Sequence, residues 1–193
     1  MKQEIESRPP DGILDYLSLA ISTWGVGYLP FAPGTWGSMV GVAIYLAATS
    51  FISAERPLYF IAGALGLKWP NMIAEVHAAV TVLIVALFFG LCLVGIWAGS
   101  RSTQLLGNED PSETVVDEVI GQLVTFFFTP FGISWPFILA GFVLFRLFDI
   151  WKPYPIDALQ NLPGGLGICA DDFLAGIYAG ACLAVIYAFV QLA

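Results

Sequence analysis

Charged side chains are scarce in this chain. Of 193 residues only 11 % are Asp, Glu, Lys or Arg, whereas 58 % are hydrophobic and the mean hydropathy is +0.81. An ordinary soluble domain carries about 25 % charge, so the composition is that of an integral membrane protein. Basic residues are scarcer still: seven stand against fifteen acids, a net charge of −8. That argues against a nucleic-acid partner, which selects a basic surface. His77 is the sole histidine, so few His-dependent hydrolase mechanisms remain open. Cys92, Cys169 and Cys182 show no CxxC spacing, and neither a disulfide framework nor a zinc site is indicated. Two phosphatase signatures, D-x-D and a Cys followed six residues later by Arg, are missing as well. The opening Met1–Asp11 lacks an apolar h-region and a small-residue cleavage site, so it does not read as a signal peptide. The length fits a single domain, 1–193.

The polar residues that are present are unevenly placed. Nine of the fifteen acids fall between Glu109 and Asp172. The densest stretch is Phe145–Phe173, FRLFDIWKPYPIDALQNLPGGLGICADDF, with Arg146, Lys152, four aspartates and three loop glycines. Such groups are costly in an apolar setting unless they pair with each other or with an ion. The stretch therefore predicts a polar site at the edge of a hydrophobic bundle.

Ile13–Leu29, broken by Asp15, Ser18, Ser22 and Thr23, reads as an amphipathic or interfacial helix. Gly25–Ser38 (GVGYLPFAPGTWGS) holds two prolines and four glycines, which argue against regular structure. Pro33-Gly34 is either simple punctuation or part of an anion cradle with the Thr35 and Ser38 hydroxyls at a helix N-terminus. Apolar runs then predict spans over 37–54, 73–99, 114–130, 135–150 and 172–193. The expected fold is an all-α, multi-pass membrane bundle of about five spans. His77 reads as interfacial and Glu55–Asn71 as a connector. Asp110-Pro111-Ser112-Glu113 reads as a helix start, with Asp as N-cap and Glu reaching back. Gly37-xxx-Gly41 and Gly176-xxx-Gly180 are small-residue spacings that suit close helix packing.

The third and fourth spans form a hairpin with its turn near Ile133. Asp117 precedes that turn by sixteen residues and Asp149 follows it by sixteen, so each lies about 24 Å from it along a helix. Asp117, Glu118, Arg146 and Asp149 are thereby predicted at one level. Arg146 and Asp149 share a helix face, where a plain ion pair is the simpler explanation. Pro163–Gly167 reads as a flexible loop, and Asp171-Asp172 as the acids that open the last helix, where the macrodipole would favour them. Alternating crossings put 25–36, 100–118 and 146–172 on one face. That face carries Lys2, Arg8, Arg101, Arg146 and Lys152, against Arg56 and Lys68 opposite, which points to the cytoplasm.

Four ordered blocks carry a family likeness: Gly25–Ser38, DEVIG (Asp117–Gly121), FRLFDIWKPYPI (Phe145–Ile156) and LPGGLGICADDFLAG (Leu162–Gly176). With them the chain resembles the phosphatidylglycerophosphatase A family of bacterial lipid phosphatases, departing at Cys169, where many relatives have methionine. The resemblance implies Mg²⁺-dependent removal of the terminal phosphate of phosphatidylglycerophosphate at the bacterial inner membrane, on its cytoplasmic face. On that reading Asp117, Glu118, Asp149, Asp171 and Asp172 supply metal-binding carboxylates. Arg146 and Lys152 neutralise phosphate oxygens, and with Asp149, Asp171 and Asp172 they form the catalytic set. Pro33, Gly34, Thr35, Ser38, Gly164, Gly165 and Gly167 approach the substrate. Direct water attack and an aspartyl phosphoenzyme both stay open, as do metal number and oligomeric state. A divalent-cation transporter and a non-catalytic lipid-binding scaffold are the rival classes.

Overall fold

The structure, a computed structural model, describes residues 6–53, 60, 62–66 and 72–192. Its regular elements are helical: α1 Ile13–Thr23, a 3-10 turn Val26–Tyr28, α2 Pro33–Ser53, α3 Met72–Leu106, α4 Val116–Phe126, α5 Trp135–Trp151, α6 Ile156–Leu159 and α7 Gly165–Leu192. No strand occurs among the described residues, in keeping with the all-α expectation. Most of the Glu55–Asn71 connector and the His77 side chain lie outside the described residues.

Three segments are long and apolar enough to cross a membrane: Pro33–Ser53, Ala78–Leu106 and Gly165–Leu192. The segments expected at 114–130 and 135–150 fall on helices of 11 and 17 residues. These are about 16 and 25 Å long, against a hydrocarbon core of roughly 30 Å. They make the anticipated hairpin, with Ile133 buried at its turn. On α5, Leu139, Val143, Leu147 and Ile150 are exposed; their spacing of three to four residues leaves one outward apolar stripe.

Helix α7 is the centre of the bundle and packs against α3, α4, α5 and α6, while α2 packs against α4 and α5. Glycines set the closeness of these contacts. A Cβ on Gly41 would overlap the Gln122 side chain, one on Gly176 would overlap the Gly121 backbone, and one on Gly180 would overlap Phe128. Both small-residue spacings read from the sequence thus serve helix packing, as such motifs do where lipid offers no hydrophobic drive. Below them a core of Tyr45, Phe126, Ile133, Ile138 and Leu183 joins α2, the hairpin and α7. The Tyr45 and Phe126 rings stack at 4.3 Å, an arrangement worth about 0.5–1.5 kcal/mol beyond area burial.

Three helix starts differ from the sequence reading. Helix α2 opens at Pro33, not Gly37; proline suits the first helical position because its missing N–H has no partner there anyway. Helix α7 opens at Gly165, inside the stretch read as a flexible loop. Asp110–Glu113 does not start a helix. Thr114 N–H closes a turn on Pro111 O at 3.0 Å, and Val115 N–H donates to Ser22 O of α1 at 2.8 Å. A tertiary partner therefore sets the start of α4, which has no side-chain cap.

Helix α1 is inverted. It buries Asp15, Ser18, Ser22 and Thr23 and exposes Ile13, Leu14, Tyr16 and Leu17. Asp15 accepts from Arg8 of the N-terminal segment at 2.6 Å and from Arg101 of α3. Asp11 N–H adds a further bond at 2.8 Å.

Candidate active site

The N-termini of α2, α4 and α7 and the C-termini of α3 and α5 meet at one end of the bundle. They enclose a cavity of about 1260 Å³. Residues from all three stretches expected on one face line it, among them Pro33, Thr103, Asp117, Arg146 and Asp172. Seven carboxylates and two cations, Arg146 and Lys152, stand in its walls.

Asp117 and Glu118 are consecutive on α4, so their side chains leave the helix about 100° apart. Asp172 reaches them from α7, which the Gly121–Gly176 contact brings close. Carboxylate oxygens of Asp117, Glu118 and Asp172 lie within 4.8 Å of one another. Asp171 and Asp172 sit in the second turn of α7, not at its N-terminus. The macrodipole fades within the first turn, so it does not account for two carboxylates that are 4 % and 2 % exposed.

Asp171 turns the other way. Its Oδ2 accepts from Lys152 Nζ and from Gln160 Nε2 at 3.0 Å. Lys152 caps α5 in the left-handed conformation, φ 45 and ψ 57. A non-glycine residue is held there at a cost of about 1–2 kcal/mol. From that position Nζ also comes within 3.7 Å of Asp149 and 3.8 Å of Asp172. Burial alone would lower the Lys152 pKa, but Asp172, Asp171 and Asp149 outweigh it and raise the ammonium above the ordinary lysine value.

Arg146 and Asp149 form the intrahelical pair anticipated on α5, Nη1 to Oδ2 at 2.5 Å. Arg146 Nη1 also lies 3.5 Å from Ser38 Oγ, while its Nε is buried without a partner. Gly34 passes directly over this group, since a Cβ there would overlap Glu118 and Arg146. The four residues expected at one level do meet at one level.

The residues anticipated around the substrate divide. Pro33, Gly34, Gly164 and Gly167 line the cavity, whereas Thr35, Ser38 and Gly165 are not among its lining residues. Ser38 Oγ donates back to Gly34 O at 2.9 Å, and Gly165 N–H donates to Ser100 Oγ at 2.8 Å. Gly165 serves packing: a Cβ would overlap Ile96 O of α3. The five anticipated metal ligands divide too. Asp117, Glu118 and Asp172 converge, while cations hold Asp149 and Asp171. Sequence reasoning missed Gln160, whose amide fixes Asp171 from the C-cap of the short helix α6. No local pattern marks it, because its role depends on how that one-turn helix folds back.

The residues fit a hard divalent cation. Three carboxylates converge, and Asp117 Oδ1 and Glu118 Oε2 are buried without a hydrogen-bond partner. An all-oxygen, anionic donor set suits Mg²⁺, Mn²⁺ or Ca²⁺ and not the softer metals.

Residues 19–187 match the family model described as phosphatidylglycerophosphatase A. A Bacteroides thetaiotaomicron protein with the provisional name phosphatidylinositol-3-phosphatase is 36 % identical over 172 residues, which cover 88 % of this chain and 93 % of that one. Phosphatidylglycerophosphatase A of Haemophilus influenzae is 34 % identical over 86 % of each chain. The Escherichia coli protein of the same name is 30 % identical over 83 % of this chain and 77 % of its own. No solved structure matches the chain.

Proposed function

Because the chain belongs to the phosphatidylglycerophosphatase A family and is a phosphoric monoester hydrolase, we propose that it dephosphorylates phosphatidylglycerophosphate to phosphatidylglycerol in an Mg²⁺-dependent reaction, as a step of bacterial phospholipid synthesis. The observation that carries this reading is the convergence of Asp117, Glu118 and Asp172 opposite Arg146 and Lys152 in one cavity. Acids alone would repel a phosphate, and cations alone would not bind a divalent metal.

Asp117, Glu118 and Asp172 would hold the ion. Bound Mg²⁺ would supply charge neutralisation for the phosphoryl oxygens and acidify a coordinated water. Arg146 has five N–H donors; Nη1 serves Asp149 and Ser38, which leaves the Nε–Nη2 edge to grip two phosphate oxygens. Lys152, at the end of the same helix, adds a point charge on the other side of Asp149. Gly34 lets the phosphate approach the Glu118–Arg146 pair where a side chain would block it. Asp149 and Asp171 orient the two cations.

On the positive-inside rule the cavity faces the cytoplasm, with the chain in the inner membrane. Helices α4 and α5 would complete a five-segment bundle, the hairpin entering the bilayer from the cavity side and returning to it. The acids gather at one end of the bundle instead of along a span, which favours hydrolysis over cation transport.

A second substrate has a specific support. The Bacteroides relative's name points to an inositol 3-phosphate headgroup, and a cavity of about 1260 Å³ has room for one. Phosphate release from mixed micelles of each lipid decides between them. Faster turnover of phosphatidylglycerophosphate supports the proposal, faster turnover of phosphatidylinositol 3-phosphate replaces its substrate, and no release from either overturns it.

A further inference from the structure

We infer that the Lys152 ammonium takes the place of a second divalent cation among Asp149, Asp171 and Asp172, so that the site works with one metal ion and one tethered positive charge. The inference rests on the reading above, in which Asp117, Glu118 and Asp172 hold a single divalent ion.

The geometry around Nζ is that of an ion inside an anionic cage. One carboxylate, Asp171, is bonded to it directly, and oxygens of Asp149 and Asp172 stand at 3.7 and 3.8 Å. None of the three aspartates is more than 8 % exposed. Ammonium hydrogen bonds to carboxylates run at about 2.7–2.9 Å, so two of these contacts are too long for hydrogen bonds. They exceed the roughly 2.0–2.1 Å of a direct Mg²⁺–oxygen bond by about the span of one of the waters that Mg²⁺ tends to keep. The centre of this triangle therefore suits a hydrated divalent ion as well as an ammonium.

Charge and valence agree. Three carboxylates surround Lys152 and only one of them, Asp149, has a second cation, Arg146, so negative charge is in excess and a divalent ion would reduce it. Asp171 lines the cavity, and its Oδ1 is buried without a hydrogen-bond partner. It is an acceptor that the ammonium leaves unused. Gln160 holds the other oxygen of the same carboxylate, so the side chain cannot simply turn away.

Asp172 belongs to both groups: to the convergent set with Asp117 and Glu118, and to the cage around Lys152. A carboxylate shared in this way is what a pair of metals about 3.5–4 Å apart would bridge. Here one of the two positions is filled from within the chain. The ammonium arrives from a helix end whose backbone is held left-handed, and it needs no ion from solution.

Removing the tethered charge should open the second position. The test uses the full chain in detergent micelles, stripped of metal and titrated with Mn²⁺, with free Mn²⁺ read by electron paramagnetic resonance. Mn²⁺ accepts the same oxygen donors as Mg²⁺. The parent is expected to bind about one Mn²⁺ per chain and Lys152→Gln about two. Lys152→Arg, which restores the charge, should return to about one. Circular dichroism in the same micelles confirms that each variant is folded. A Lys152→Gln protein that binds one Mn²⁺, or a parent that already binds two, overturns the inference. A parent that binds none shows instead that the underlying metal reading is wrong, and the inference falls with it.

Discussion

Replacing Asp172 with Asn should stabilise the metal-free protein while abolishing its activity. The two effects have one cause. Asp172 is 2 % exposed and lies within 4.8 Å of both Asp117 and Glu118. At an effective dielectric constant of about 20, two unit charges at that separation repel by about 3.5 kcal/mol. Asn removes both repulsions, together with those from Asp149 and Asp171, which share Lys152 with Asp172. It also removes the attraction to Lys152 at 3.8 Å, about 4.4 kcal/mol on the same scale. Lys152 keeps its direct bond to Asp171, so no charge is orphaned. The repulsions removed outweigh the one attraction lost, so Tm in chelator should rise by several degrees, on the order of 2–4 °C for each kcal/mol gained in a chain of this size. The assay is thermal unfolding in detergent with a chelator, repeated in excess Mg²⁺. Ligand at a hundred times its Kd adds about 2.7 kcal/mol to the parent. The variant, lacking one anionic ligand, should gain much less, so the gap closes or reverses. A variant that melts below the parent in chelator would refute the reasoning, as would a parent whose Tm ignores Mg²⁺.

Three further outcomes are expected. Arg146→Lys should fold but lose activity by about tenfold or more, on the order of 1.4 kcal/mol of transition-state stabilisation, because a point charge cannot replace the fork; near-parent turnover would leave Arg146 a structural role. The Arg8 guanidinium, and then the Asp11 N–H and Arg101, hold Asp15 well below the usual carboxylate range. A lowered folded-state pKa gives stability that is present above about pH 4 and is lost as pH falls through the folded value. Asp15→Asn should therefore lower Tm at pH 7, and the difference from the parent should close below about pH 4; a pH-independent gap would show that Asp15 acts by packing alone. For the orientation, Cys169 is too buried to report, so the exposed loop residue next to the site is the better probe: Asn161→Cys should resist an impermeant thiol reagent in intact cells and react after permeabilisation, and labelling from outside would reverse the topology.

Much of the site was legible because its polar residues stand out against an apolar chain. The level shared by Asp117, Glu118, Arg146 and Asp149 follows from counting residues to the turn at Ile133, and α5 ends where Lys152-Pro153 says it must. The helix starts were not legible for a single physical reason. Gly34, Gly165 and Gly167 read as loop residues on local propensity, yet they are helical. Close approach of α4, α3 or the Gln160–Leu162 turn, and not backbone freedom, selects glycine there. That misreading also placed Asp171 and Asp172 at a helix N-terminus and supplied an electrostatic explanation that the second turn does not support. Asp15 looked like a blemish in an apolar helix because Arg101, which holds it, lies 86 residues away. Gln122 remains apart from these accounts: it is fully buried with neither amide atom bonded, and nothing in the structure explains it.

The central claim is that these carboxylates serve a metal-dependent phosphatase. Its most direct test is phosphate release from phosphatidylglycerophosphate in mixed micelles by the purified parent protein, first after exhaustive chelation and then on return of Mg²⁺. Release should fall to the level of lipid alone and recover when Mg²⁺ is restored. Full activity in the chelated enzyme would contradict the claim.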